Sequence, residues 1–143
     1  MIERDFLMRI LQQFFEAIAK LVHRTPGVEP DLSKIQEGFY GIYDKFFRCP
    51  AEHFYQTSKE DILNEIENEG RSEGDTYAKI QMLSELLYQD ALIKSSIPEK
   101  CELLEKSLYL LEYLDSSGNT FSWERAWKIT DIKKTLTEFI SYI

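Results

Sequence analysis

The sequence predicts an all-α protein, a helical bundle of about five main helices and one minor one. Apolar residues recur at alternating steps of three and four along most of the chain, which is the period of an amphipathic helix. No segment alternates at period two for long enough to make a strand. Six glycines and four prolines in 143 residues are too few turn formers for a many-stranded sandwich.

The first element, 2–24, places Ile2, Phe6, Leu7, Ile10, Leu11, Phe14, Phe15, Ile18, Leu21 and Val22 in adjacent pairs every three to four residues. Such a stripe is wider than one packing seam needs, so this helix is expected to touch two neighbours, or one neighbour and a partner chain. Thr25, Pro26, Gly27 and Pro30 end it. Asp31 then reads as an N-cap for a second helix carrying Leu32, Ile35, Phe39, Ile42 and Phe46, with Tyr43 and Phe47 widening the face. Gly38 and Gly41 each cost that helix about 1 kcal/mol relative to alanine, so a close neighbour is expected at both. A short connection between two such helices favours an antiparallel hairpin over residues 1–48.

Cys49 and Pro50 interrupt the pattern, and a short helical piece with Phe54 and Tyr55 follows. Ser58 with Asp61 forms a partial capping box for a helix over 59–69 with Ile62, Leu63 and Ile66, enough to cover a core without forming its centre. Residues 70–74 close it. A helix from Asp75 to Lys94 places Tyr77, Ile80, Leu83, Leu87 and Ala91 on one side, with Met82, Leu86 and Ile93 nearby. The next runs from Pro98 to Asp115 with Cys101, Leu104, Leu108, Leu111 and Tyr113, and Gly118 is its expected stop. Ser122 with Arg125 opens the last helix, whose buried side is expected at Trp123, Trp127, Ile129, Ile132, Leu136, Phe139 and Ile140. Residues 57–143 thus form a C-terminal helical part of the same single domain.

Net charge is −8, the wrong sign for a chain that neutralises phosphates, so no nucleic-acid partner is expected. The charge is uneven. Residues 1–24 and 121–143 each carry four basic and three acidic groups, whereas 25–120 carry nine and nineteen. The densest part includes Glu60, Glu65, Glu67 and Glu69, either a solvated helix face or a docking surface for a basic partner. No stretch is long and apolar enough for a membrane span. Glu3, Arg4, Asp5 and Arg9 break up any leader-like opening, and two isolated cysteines fit free thiols in a reducing compartment, so a cytoplasmic protein is expected.

Little in the chain carries chemistry. Cys49 and His53, four apart, supply at most half a zinc site, and no cofactor or metal is expected. The same pair with nearby carboxylates is the raw material for an enzyme on a helical scaffold, provided the groups converge in one pocket. Asp115, Ser117 and Asn119 have the oxygen spacing of a calcium loop, but Thr120 stands where glycine is needed and Ala126 where a bidentate carboxylate must close the site. Trp123 and Trp127, one turn apart, could stack a ligand, yet with only Arg125 and Lys128 around them a packing role is expected.

The opening Met1-Ile2-Glu3-Arg4-Asp5-Phe6-Leu7-Met8-Arg9, running into a helix rich in Phe and Leu, resembles the start of a family of small bacterial helical proteins of unknown function. That resemblance implies a C-terminal part of tetratricopeptide-like helical hairpins, with Leu104, Ser107 and Leu108 at second-helix positions and Leu87 at a first-helix position. Tyr88, Ala91 and Glu112 depart from the repeat pattern, and a 34-residue step from Leu104 lands on Glu138, so no second copy follows. The function expected is a non-catalytic protein-interaction or scaffold module that forms homo-oligomers through the first helix. Its candidate surface is Phe6, Leu7, Ile10, Leu11, Phe14, Phe15 and Ile18.

Overall fold

The computed structural model describes residues 2–118 and 121–140. Seven helices occur among them: α1 (Ile2–Val22), α2 (Leu32–Phe47), α3 (Ala51–Gln56), α4 (Lys59–Glu69), α5 (Glu73–Leu92), α6 (Ile97–Ser117) and α7 (Trp123–Ile140). The expected count of about five is therefore too low. The segments are those read from the sequence, and α3 is the minor one.

The capping chemistry falls where the residue types require it. The Asp31 carboxylate accepts from the Ser33 and Lys34 amides, and the Ser58 hydroxyl accepts from the Asp61 amide. Ser122 does the same for Arg125 at the start of α7. Helix α5 begins two residues earlier than expected, because the Ser72 hydroxyl accepts from the Asp75 amide and so caps it. Gly118 ends α6 in an extended conformation, φ −91°. Its lack of a side chain serves a different need, since a Cβ there would press on the Tyr77 hydroxyl.

Helices α1 and α2 form an antiparallel hairpin: Leu21 lies against Gly38, and Phe14 lies against Phe46 and Phe47. Phe14 is fully buried, edge-on to Phe15, Phe46 and Phe47 with ring centroids 5.2–6.3 Å apart. A Cβ at Gly38 would drive into the Leu21 side chain, which explains that glycine, whereas Gly41 faces open space and has no neighbour to accommodate. Helix α1 meets both α2 and α5, so its wide stripe serves two neighbours.

The centre of the molecule is α5. It buries Ile80, Met82, Leu83, Leu86, Leu87, Tyr88 and Ala91, residues spread around nearly its whole circumference, so Met82 and Leu86 are buried as deeply as the expected side of Ile80, Leu83, Leu87 and Ala91. Helix α6 returns antiparallel to it: the buried Ser107 hydroxyl donates to the Ser84 carbonyl at 2.7 Å, and the Tyr77 hydroxyl donates to the Leu114 carbonyl at 3.3 Å. Helix α4 covers α5 and α6 with Ile62, Leu63 and Ile66, all buried.

Helix α7 lies antiparallel along α6, with Arg125 on Asp115 at 3.1 Å and Lys133 on Glu112 at 3.5 Å. Its inward positions are Ile132, which is fully buried, and Lys128, which pairs with Glu85 of α5. Tyr88 of α5 donates to Asp131 at 3.0 Å. Ile129, Leu136 and Phe139 pack against the core beside Ile132 as expected, but Trp123, Trp127 and Ile140 stand outside, at 83, 63 and 69% exposure. The Glu85 carboxylate beneath the helix pairs with the Lys128 ammonium group, whose charge an indole could not match, and this holds the Lys128 and Ile132 side inward.

Candidate interaction surface

The seven residues expected to form one surface on α1 divide into three sets. Phe14 and Ile18 are buried inside the chain's own core and are removed from any surface, because α2 and α5 cover that line of the helix. Leu7, Ile10 and Leu11 are half-buried. Phe6 and Phe15 remain exposed, together with Met8, which sequence reasoning had passed over. The exposed residues fall on opposite flanks of α1, each facing a groove.

The first groove, about 1030 Å³, opens between the Phe6 flank and helices α2 to α5. The second, about 1210 Å³, opens between the Met8, Leu11 and Phe15 flank and the start of α7, with Tyr77, Gln81 and Leu111 among the residues lining it. Leu7 and Ala78 line both grooves, so the crossing of α1 over α5 is the wall between them.

Cys49, His53, Glu65 and Glu69 do converge on the first groove. His53 Nε2 lies 2.7 Å from Glu65 Oε2. The electrostatics oppose a nucleophilic thiol: burial pushes the Cys49 thiol up, and the Glu69, Glu65 and Asp44 carboxylates push it further. A catalytic cysteine requires the opposite setting, with cations or donors that favour the thiolate. Among the described residues, no group of three or more His, Cys, Asp or Glu is arranged to hold a metal ion. Both cysteines are free thiols. Asn119 and Thr120 of the calcium-like spacing lie outside the described residues.

Of the acidic residues on α4, Glu60, Glu67 and Glu69 are exposed, while Glu65 turns toward His53. Among the described residues, no helix is long and apolar enough to cross a membrane. A third apolar feature lies at the start of α7. Phe121 and Trp123 meet edge-on with ring centroids 5.0 Å apart, and Trp127 stands one turn further along the same outward face.

Sequence reasoning also missed a polar centre. Asp90 of α5 is fully buried and accepts from the Tyr43 hydroxyl at 2.7 Å, the Tyr55 hydroxyl at 2.5 Å and Gln36 Nε2 at 3.2 Å. Lys94 Nζ lies 3.4 Å from the same carboxylate and donates to Gln36 and Tyr55. Lys106 of α6, also buried, donates to the Phe54 and Tyr55 carbonyls at 2.9 and 2.8 Å, so it satisfies the open C-terminal end of α3. A signal for Asp90 existed, since it sits three residues after Leu87 and seven after Leu83, in register with the buried stripe. These groups join α2, α3, α5 and α6.

The chain matches no family model, no curated protein and no solved structure.

Proposed function

We propose that this protein is a non-catalytic protein-interaction module that associates with copies of itself through its N-terminal helix. The observation that carries this reading is the apolar surface left on α1 after folding: Phe6, Met8 and Phe15 stay exposed although α2 and α5 already cover the rest of the stripe. Exposed apolar residues collected along one element mark binding surfaces more often than scattered ones do. The grooves on either side of α1 give a partner helix two places to lie. We read the C-terminal part as tetratricopeptide-like, with the α5–α6 hairpin and α7 stacked on α6 presenting a face for binding.

Light scattering on a size-exclusion column tests the reading. Wild type is expected to elute as an oligomer whose mass falls on dilution, and Phe15→Glu is expected to shift it toward monomer. A strict monomer at about 100 μM, where an interface of standard size should be populated, would overturn self-association.

A second reading, an enzyme using Cys49 and His53, draws on the His53–Glu65 contact in the first groove. The three carboxylates that disfavour the Cys49 thiolate weigh against it.

A further inference from the structure

We propose that the first groove binds an anionic amphiphile: an acyl chain lies between α1 and a floor made by α3, α4 and α5, and its carboxylate is held at the rim by Arg48 and Arg71. The inference goes beyond the self-association reading, whose test at Phe15 concerns the opposite flank of α1.

The lining of the groove is apolar. Leu7 and Ile10 of α1, Phe47 of α2, Phe54 of α3, Ile66 of α4 and Met82 of α5 all face it. Phe54, Ile66 and Met82 are buried members of the continuous core, so the floor is the edge of that core. At about 1030 Å³ the groove reaches the upper end of the range for small-molecule sites, about 300–1,000 Å³.

The charges on its rim are unequally matched. Of the four carboxylates that line it, Glu65 meets His53 at 2.7 Å, Asp75 meets Lys79 at 3.6 Å and Glu3 accepts from Ser72, which leaves the exposed Glu69. Lys45 lies over the Phe46 ring, 5.4 Å from its centroid. Arg48 and Arg71 line the same groove, and among the described residues neither guanidinium is bonded to a carboxylate. A guanidinium is the side chain best shaped to hold a carboxylate, through two parallel hydrogen bonds.

The backbone at Arg48 points the same way. It ends α2 in the left-handed conformation, φ 55°, and is the one non-glycine residue with positive φ among those described. Glycine is the ordinary occupant of such a cap because it has no Cβ to crowd the chain. The sequence accepts that crowding and gains a cation on the groove.

Together these features select the ligand. A small anion would leave the apolar floor unused, and a neutral hydrocarbon would leave the guanidinium groups unused. A peptide would bring amides and carbonyls that need partners, yet His53, Glu65, Ser72 and Asp75 are already bonded within the chain, whereas an acyl chain needs none.

Calorimetric titration of the intact protein with octanoate, decanoate and dodecanoate, each below its micelle concentration, tests the assignment. Affinity is expected to rise about tenfold for every two methylenes added. Dodecanol should bind about tenfold more weakly than dodecanoate, since it carries no charge for the arginines to hold. Arg48→Gly with Arg71→Ser should erase that difference. Glycine suits the left-handed position and Arg71 is exposed between helices, so the helical circular dichroism should be retained. Cys49 lines the same groove and marks the place: in a Cys101→Ser background, dodecanoate should slow its labelling by iodoacetamide several-fold. Dodecanol bound as tightly as dodecanoate, dodecanoate bound with Cys49 labelling unchanged, or no binding of any acid at about 1 mM would overturn the proposal. So would Phe6→Glu if it dissociated the oligomer and left dodecanoate binding intact, because the groove would then belong to a second copy.

Discussion

Asp90 shows how one side chain can bind several elements together. Its carboxylate has no water to solvate it, and two tyrosine hydroxyls, an amide and an ammonium group take the place of water. Removing one member of a buried charged pair costs more than the pair contributes, since the remaining charge is left uncompensated. Asp90→Ala is therefore expected to lower the urea-unfolding free energy by about 3–5 kcal/mol. A loss below about 1 kcal/mol would place the network in the class of exposed ion pairs.

The same residues set the behaviour in alkali. Burial pushes the Tyr43 hydroxyl well above its ordinary value of 10.0, and the Asp90 carboxylate adds to the shift. Tyr88 is pushed up to about 12 by burial and by Asp131. A pKa raised by folding means that the native state holds its proton more tightly, so the stabilisation is complete below pH 10 and is lost as pH rises through the folded value. The melting temperature should fall between pH 10 and about 12, and Tyr88→Phe should make that fall shallower. A flat profile over this window would contradict the assigned surroundings. At Cys49 the carboxylates act in the same direction: in a Cys101→Ser background, iodoacetamide should label Cys49 more slowly in the native protein than in urea at neutral pH, because only the thiolate reacts.

At the scale of elements, the two glycines of α2 provide a controlled comparison. Both lower helix propensity, but only Gly38 lies under a neighbour. Gly41→Ala should stabilise the protein by about 0.5–1 kcal/mol, the propensity gain alone. Gly38→Ala should bring a net loss of about 1 kcal/mol, because the Leu21 side chain has to move out of a packed hairpin. Equal effects in chemical denaturation would mean that the α1–α2 contact is looser than described. Helix α3 depends on help from elsewhere, since six residues are too few to hold a helix alone. Lys106→Met should leave the Phe54 and Tyr55 carbonyls unsatisfied, at a cost of about 1–3 kcal/mol. Hydrogen exchange should then speed up in α3 more than in the α5–α6 hairpin.

The uneven charge makes its prediction at the scale of the whole molecule. Two copies of a chain at −8 repel each other, and salt screens that repulsion over a distance of about 10 Å at 0.1 M. Self-association through apolar surfaces should strengthen as salt is raised. Binding of a basic partner to Glu60, Glu67 and Glu69 on α4 would weaken under the same change, so a salt titration separates the two surfaces.

The helices themselves were readable from local chemistry. The caps at Asp31, Ser58 and Ser122 and the breaks around Pro26, Pro50 and Gly118 depend on backbone groups within a few residues, and so does the period of each apolar stripe. What sequence alone did not determine is the phase of each helix and the identity of its neighbours. In α7, Trp123 and Trp127 lie on the face opposite Ile129, Ile132, Leu136 and Phe139, so only one of the two sets can turn inward. The Glu85 carboxylate on α5 decides it by taking Lys128. In α5 the apolar residues encircle the helix because it has neighbours on all sides, a fact held by α1, α2, α4 and α6 rather than by α5. The candidate site follows the same division. The excess of apolar residues on α1 was visible as a wide stripe, but Phe14 and Ile18 went to the core and Met8 and Phe15 to the surface only when α2 and α5 closed over one side of the helix. Local hydrogen bonding and period are properties of neighbouring residues in the chain, whereas burial is a property of what packs against them, and only the tertiary structure supplies that.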